Sequence, residues 1–214
     1  TRKINHFALF FIPMFIDNII PVQPSIELLI IGSFVAVAGL IIYIKPIRTN
    51  SRLIQRMFLS FDRPEDRPNT LLWLTTQTAV AYLIIIPIVI YFYKIGYEDL
   101  LLIPILVNGI GDGLAEPVGV RFGRLKYKTY ALFSKIKYER TVEGSACVFF
   151  TSAIVIIFFQ SGFTSSEFIC VLIVLPIVMT LAEAFAPHTW DTPFLFLFGY
   201  LTLYMVKIMP LVAH

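Results

Sequence analysis

Two carboxylates, Asp112 and Glu116, stand in the segment 108–124, NGIGDGLAEPVGVRFGR, which directly follows the apolar run LLLIPILV. They are spaced by four residues from each other, and Asn108 precedes Asp112 by the same interval. In a helix this spacing places the three side chains on one face, about a turn apart. Mg²⁺ prefers one or two carboxylates together with waters and substrate phosphates. The spacing therefore predicts a metal site at Asp112 and Glu116, with Asn108 as an additional oxygen donor.

The glycines of this segment allow close approach to its backbone. Gly109, Gly111 and Gly113 would admit either another helix or a nucleotide. Pro117 disfavours helical conformation at Glu116, so the helix is predicted to end there and to open into a basic loop. An equally weighted alternative is a helix contact built from small residues, with the acids paired to neighbouring arginines.

The next segment combines glycines with cations that could bind a polyphosphate through backbone amides and side chains. These residues are Gly119, Arg121, Gly123, Arg124, Lys126 and Lys128. A second short motif, R-T-x-E-G, follows at Arg140, Thr141, Glu143 and Gly144. The chain contains no GxxxxGK[ST] phosphate-binding loop, so any nucleotide site would be of another kind.

The elements that position these residues are predicted to be membrane helices. Hydrophobic residues make up 57% of the 214-residue chain and charged residues 14%, with a mean hydropathy of +0.80, which is outside the range of soluble proteins. A spanning helix needs about 20 mostly apolar residues. The predicted fold is all-α, a single polytopic domain over residues 1–214 with about seven transmembrane helices. They cover 7–22, 26–44, 71–93, 100–118, 145–160, 168–186 and 194–212, and a re-entrant segment is the alternative for the first.

The distribution of positive charge predicts the orientation of these helices. Of the 17 Lys and Arg residues, two precede the first run, six lie in the loop 45–70 and seven in the loop 119–144. Cytoplasmic loops retain such charge, so the N-terminus and both basic loops are predicted to be cytoplasmic. Two further acids, Glu183 and Asp191, then lie at the same membrane face as Asp112 and Glu116. Intramembrane charge costs about 2.5–3.5 kcal/mol, so we expect these four acids to form one water-accessible site.

The order of motifs resembles a known family. GDGLAEPVGVRFGR, then RTVEGS, then EAFAPHTWDTPF, together with the initial RKINH, is similar to the polyprenol kinase family of dolichol kinase, phytol kinase and CTP-dependent diacylglycerol kinase. The resemblance covers almost the whole chain and is nearest to the phytol-kinase-like branch. CDP-diacylglycerol synthases are more distantly similar through their acidic and [KR]-[ST]-x-E-G elements.

The resemblance implies transfer of the γ-phosphate of a nucleoside triphosphate, usually CTP, to the hydroxyl of an isoprenoid alcohol or related lipid. Asp112 and Glu116 would hold the Mg²⁺ triphosphate, and Glu143 would orient Arg140 or a nucleotide group. Glu183 or Asp191 would accept the proton of the alcohol. The residues expected to contact the nucleotide are Asn108, Gly111, Gly113, Arg121, Gly123, Arg124, Lys126, Arg140, Thr141 and Gly144, and Lys3 and His6 belong to the initial motif.

The sequence departs from the family pattern at three positions. Glu116 stands where Asp is commoner and Arg140 where Lys is commoner, which keeps the charge but changes reach and geometry. Asp191 is followed by Thr192, where relatives often have an Asp-Asn pair.

Three other functions compete with the kinase. A cytidylyltransferase that forms a CDP-lipid would release pyrophosphate. A transporter could use Asp112, Glu116 and Glu183 as a proton or cation relay, although no inverted repeat supports it. A non-catalytic scaffold would leave the clustered carboxylates unexplained. Membrane lipids are expected partners under every reading, and no nucleic-acid partner is expected.

Overall fold

The computed structural model describes residues 2–19, 26–132 and 134–208. It divides the chain into two compact units, Thr1–Ile86 and Pro87–His214. The described helices are α1 Arg2–Ile19, α2 Ile26–Gly39, α3 Lys45–Arg48, α4 Arg52–Leu59, α5 Thr70–Lys94, α6 Leu102–Leu106, α7 Gly113–Phe122, α8 Val142–Phe158, α9 Ser165–Phe185 and α10 Asp191–Leu203. The strands are β1 Lys126–Ala131 and β2 Ser134–Thr141.

In the first unit, the segment predicted as the basic loop 45–70 is largely helical. The Ser51 side chain accepts a hydrogen bond from the Ile54 amide and so caps the start of α4. Phe58 on α4 is buried against Tyr43, with ring centroids 5.9 Å apart. The Arg48 guanidinium lies 3.9 Å from the centroid of the Phe58 ring. Aromatic burial therefore orders a segment whose charge pattern predicted a loop.

The second unit is a helical bundle around apolar residues that are completely buried. Residues 98–122 form one long helical segment, in which a π-helical turn, Val107–Asp112, joins α6 to α7. Gly199 of α10 marks a close crossing, since a Cβ there would lie 3.0 Å from Pro104 Cβ of α6 and 2.9 Å from Met179 Sδ of α9. The core side chains with 0% exposure include Ile103, Val107, Val148, Val171, Leu175 and Leu195.

Three helices within the described residues are long and apolar enough to cross a membrane: Thr70–Lys94, Glu98–Phe122 and Ser165–Phe185. They match the predicted spans 71–93, 100–118 and 168–186. The predicted seven-span bundle is therefore supported only in part. Helix α8 is apolar but has 17 residues, and α10 has 13. Of the remaining predicted spans, positions 20–22 and 209–212 lie outside the described residues.

A β-hairpin follows α7 at a place predicted to be a basic loop. Strands β1 and β2 are antiparallel, with Tyr127 opposite Arg140 and Thr129 opposite Tyr138. Successive side chains of a strand point to opposite faces. One face, which we call the inner face, carries Tyr127, Thr129, Ala131, Tyr138 and Arg140, all buried or half-buried. The outer face carries the exposed Lys126, Lys128, Tyr130, Lys135, Lys137 and Glu139.

The hairpin packs on the segment that joins α9 to α10. Thr129 Oγ1 donates to the Ala186 carbonyl at 3.0 Å, and the His188 amide donates to the Tyr130 carbonyl at 2.7 Å. The rings of Tyr138 and His188 are stacked, with centroids 3.6 Å apart. These contacts fix the inner face of the hairpin against the end of the bundle.

Candidate functional site

Arg140, near the end of β2, lies at the centre of a cluster of acidic side chains. Its Nη1 is 2.8 Å from Glu183 Oε1 and its Nη2 is 3.6 Å from Asp191 Oδ2. Nη1 also donates to the backbone carbonyl of Glu183. The side chain is only 12% exposed. Arg140 therefore connects the hairpin with the C-terminal end of α9 and the first residue of α10.

The surroundings of Arg140 keep its guanidinium charged. Burial by itself lowers the pKa of Arg140, but the negative charges of Glu183, Asp191 and Asp112 outweigh it and leave the pKa above its ordinary value. Asp112, at the end of the π-helical turn, thus acts electrostatically on the same group. The structure brings together four of the residues selected from the sequence: Asp112, Arg140, Glu183 and Asp191.

A chain of short hydrogen bonds extends from Glu183 to the hairpin. Ser145 Oγ donates to Glu183 Oε2 at 2.6 Å, and Tyr127 Oη lies 2.6 Å from Ser145 Oγ. Because the single hydroxyl proton of Ser145 is given to Glu183, Tyr127 is the donor of the second bond. Burial and the nearby Glu183 charge raise the pKa of the Tyr127 hydroxyl, against smaller opposing effects from Ser145 and Arg140. Both carboxylate oxygens of Glu183 are therefore engaged.

Tyr127 and Ser145 were not selected from the sequence as site residues. The alternation of faces that turns Tyr127 inward depends on the hairpin, which the sequence did not reveal. Ser145 is the last residue of RTVEGS, and a serine at a helix start is ordinary. The alternation of charged residues with apolar or aromatic ones in LKYK and KIKYE was the available signal.

The predicted site is less accessible to water than expected. Asp112 is 6% exposed and Glu183 4%, whereas the Asp191 side chain is 23% exposed. Glu116 is half-buried. The prediction that the helix ends at Glu116 is wrong, because α7 continues through Pro117 to Phe122. Proline is tolerated in membrane helices where neighbouring groups and local changes of helix type satisfy the released backbone group, and α7 follows a π-helical turn.

The backbone amides predicted to cradle phosphates are engaged within the chain. The Glu143 carboxylate accepts from the amides of Arg124 at 2.8 Å and Leu125 at 3.3 Å. The Gly123 amide donates to the Gly119 carbonyl at 3.0 Å, and the Gly144 amide donates to Thr141 Oγ1 at 3.1 Å. These four amides are therefore not open to a polyphosphate in this arrangement.

Glu143 is consequently a backbone-binding residue in the structure. The amide of Arg124 is the largest of several influences that lower the pKa of the Glu143 carboxyl. Glu143 was expected to orient either Arg140 or a nucleotide group. In the structure the carboxylate that contacts Arg140 is that of Glu183. Thr141 caps the start of α8 through the Gly144 amide.

Two of the predicted nucleotide-binding glycines permit close helix packing. A Cβ on Gly111 would lie 3.0 Å from Val148 Cα, and a Cβ on Gly144 would lie 2.7 Å from the Ala115 carbonyl oxygen. The π-helical turn and α7 therefore contact α8 backbone to backbone. This geometry agrees with the small-residue helix contact considered as an alternative, and Gly113 is buried in the same helical segment.

Of the basic side chains selected from the sequence, Arg140 lies among the acids. Lys126 lies on the outer face of the hairpin, 61% exposed and 3.1 Å from Glu139, whereas Arg140 lies on the inner face. Arg121 and Arg124 have exposed side chains. Lys3 and His6 lie on α1, which belongs to the first unit.

Two further polar groups lie on the segment that precedes Asp191. Thr189 Oγ1 and Trp190 Nε1 are inaccessible to solvent and have no hydrogen-bond partner among the described residues. Thr189 has a φ of +69°, in the left-handed region that residues other than glycine seldom adopt. Buried polar groups usually have partners, so these two donors are suited to an oxygen of a bound molecule. The burial of these two groups is a property of the packed structure and is not apparent from the sequence.

The acids suit a divalent ion that is held mainly by a substrate. The described residues contain no group of three or more His, Cys, Asp or Glu side chains placed to hold a metal by themselves. The carboxylates of Asp112, Glu183 and Asp191 nevertheless act on one shared group, the Arg140 guanidinium. Mg²⁺ bound through phosphates needs only one or two protein carboxylates. Asp112 and Glu116 therefore fit this ion by their chemistry.

The composition and the three long apolar helices define a predominantly helical membrane protein. Comparisons with known protein families, with curated proteins and with solved structures found no match.

Proposed function

We propose that this protein is a membrane lipid kinase. It would transfer the γ-phosphate of a nucleoside triphosphate, CTP by the family resemblance, to the hydroxyl of an isoprenoid alcohol of the phytol or polyprenol type. The supporting observation is the buried Arg140, held by Glu183 and Asp191 and exposed to the charge of Asp112, at one end of the helical bundle. A preorganised cation is suited to phosphoryl transfer because it can neutralise negative charge that develops on the transferred group.

The physical demands of the reaction fit these residues. Phosphoryl transfer depends on positioning the triphosphate against the acceptor oxygen and on neutralising the developing charge. Asp112 and Glu116 would hold Mg²⁺, which when bound neutralises charge on the triphosphate oxygens. Glu183 would keep Arg140 oriented, since both of its carboxylate oxygens already have partners. Arg140 Nη2, whose contact with Asp191 is longer at 3.6 Å, would turn to a phosphate oxygen.

Asp191 is then the better candidate for the proton acceptor. It is the more exposed of the two acids that contact Arg140, 23% against 6% for the Glu183 side chain. The alcohol oxygen would attack the γ-phosphorus while its proton passes to the Asp191 carboxylate. The bond from the γ-phosphorus to the bridging oxygen would break, and the nucleoside diphosphate would leave. Thr189 Oγ1 and Trp190 Nε1 could donate to the acceptor oxygen before the transfer.

The test is an assay of the purified protein in detergent with Mg²⁺ and γ-labelled CTP or ATP. Phytol, farnesol, geranylgeraniol, dolichol, undecaprenol and diacylglycerol would be offered as acceptors. We expect label in one lipid, lost in Asp112→Asn and kept in the matched control Asp99→Asn, which changes an exposed carboxylate elsewhere. Unlabelled lipids together with pyrophosphate release from CTP and phosphatidic acid would contradict the kinase and identify a cytidylyltransferase.

A further inference from the structure

The outer face of the β-hairpin carries three lysines that form no ion pair within the described part of the chain. Lys128, Lys135 and Lys137 are exposed, and no described carboxylate pairs with them. Glu139 lies on the same face, but its carboxylate is bound to Lys126 at 3.1 Å. We call Lys128, Lys135 and Lys137 the basic face.

The basic face points away from the candidate functional site. Side chains alternate along the strands, so Arg140 and Tyr127 occupy the inner face together with the contacts to Ala186 and His188. The lysines of the opposite face therefore cannot approach the cluster around Arg140 while the hairpin stays folded. If these lysines bind an anion, that anion is therefore not one held in the cluster around Arg140.

The hairpin lies close to a membrane boundary. It starts four residues after Phe122, the last residue of the candidate span Glu98–Phe122, and four residues of extended chain reach at most about 14 Å. Apolar and aromatic side chains are exposed beside the lysines: Phe122 by 60%, Leu125 by 64%, Tyr130 by 53% and Leu132 by 47%. Cations mixed with exposed aromatic and apolar side chains are typical of the headgroup region of a bilayer.

We infer that the basic face binds the phosphates of anionic phospholipid headgroups at the surface of the membrane that the protein crosses. Its positive charge is complementary to such headgroups, and clustered lysines beside a membrane helix are attracted by anionic lipid. The same hairpin carries Arg140 and Tyr127 on its inner face. Headgroup binding would therefore anchor the strand that supplies the central cation of the site. This inference does not depend on the proposed kinase activity.

The test measures the accessibility of each lysine in nanodiscs. The full chain would be reconstituted in phosphatidylcholine alone and in an equimolar mixture of phosphatidylcholine and phosphatidylglycerol. Lysines would be acetylated with an amine-reactive reagent, and the rate at each position read by peptide mass spectrometry. We expect acetylation of Lys128, Lys135 and Lys137 to slow by about fivefold each in the anionic discs, with the effect removed by high salt. Lys126 is the matched control on the same face, and its rate should change less because Glu139 already pairs with it.

A second arm separates the lipid headgroup from soluble phosphate. Nucleoside triphosphate would be added to the protein in discs of phosphatidylcholine alone. Protection of the three lysines by phosphatidylglycerol but not by triphosphate supports the inference. Equal acetylation rates in the two kinds of disc would overturn it. Protection by triphosphate alone would also overturn it, and would assign the basic face to a soluble nucleotide.

Discussion

Arg140 Nη1 lies 2.8 Å from Glu183 Oε1, although the two residues are 43 positions apart in the chain. The pair is nearly inaccessible to water, with side-chain exposures of 12% and 6%. A buried ion pair is weak evidence of net stabilisation, but removal of one partner leaves an uncompensated buried charge. The pair is therefore a sensitive point of the fold as well as the centre of the candidate site.

The first prediction concerns this pair. Removal of one partner of a buried ion pair usually costs about 3–5 kcal/mol. Glu183→Gln should destabilise the protein by an amount near the lower end of this range, because Asp191 still faces the guanidinium. The measurement is thermal unfolding in detergent. Glu65→Gln is the control, since the side chain of Glu65 is 47% exposed and 3.7 Å from Arg63, and an exposed pair contributes about 0–1 kcal/mol. Equal losses of stability in the two variants would contradict the buried ion pair between Arg140 and Glu183.

The hydrogen-bond chain from Tyr127 to Glu183 predicts an order of effects. Ser145→Ala removes the donor to Glu183 Oε2 and the acceptor of Tyr127, and leaving such groups unsatisfied costs about 1–3 kcal/mol each. Tyr127→Phe leaves the bond from Ser145 to Glu183 intact and should cost about 1 kcal/mol. Unfolding of both single variants and the double variant gives their coupling energy. Strictly additive effects would indicate that the two hydrogen bonds are not energetically coupled.

The glycine contacts between α7 and α8 predict a clash. Gly144→Ala would place a Cβ 2.7 Å from the Ala115 carbonyl oxygen, and overpacking of this kind costs about 1–3 kcal/mol. Gly162→Ala is the matched control, since its Cβ would meet Leu100 Cδ2 at an ordinary 3.6 Å. The unfolding midpoint should fall in the first variant and stay near that of the parent in the second. A Gly144→Ala variant as stable as Gly162→Ala would argue against the close backbone packing.

The Glu143 carboxyl predicts a pH dependence. Its pKa is lowered from 4.5, chiefly by the hydrogen bond from the Arg124 amide, so the folded state prefers the ionised form. The resulting stabilisation is present above the unfolded pKa and is lost as the pH falls through the lower folded pKa. Glu143→Gln cannot titrate, and its stability should therefore decline less steeply than that of the parent below pH 4.5. Parallel acid titrations of unfolding, followed by circular dichroism, would reveal the difference, and coincident slopes would refute it.

The proposed kinase predicts distinct roles for two acids. Asp191→Asn should lower kcat by about 10²–10⁴-fold with little change in KM for the nucleotide, as expected for loss of a proton acceptor. It should leave the unfolding midpoint nearly unchanged, unlike Glu183→Gln. Steady-state kinetics and unfolding of the same preparations provide the comparison. A larger kcat loss in a stably folded Glu183→Gln would reverse the assignment.

Local features of the sequence were sufficient for much of this description. Long apolar runs predicted the helices that the structure has at 70–94, 98–122 and 165–185, because burial of backbone groups in a membrane requires continuous apolar segments. Charged residues are scarce in this chain, which is why Asp112, Arg140, Glu183 and Asp191 could be selected before their contacts were known.

The tertiary structure decided which of the selected residues meet. The hairpin separates Lys126 from Arg140 by strand alternation, and α8 places Ser145 between Tyr127 and Glu183. The contacts responsible join residues 18, 38 and 43 positions apart. Helical periodicity extends over a few residues, so it cannot specify contacts that arise only when separate elements pack together. Composition therefore indicated a membrane protein with few charged side chains, and packing determined the geometry in which those charges are held.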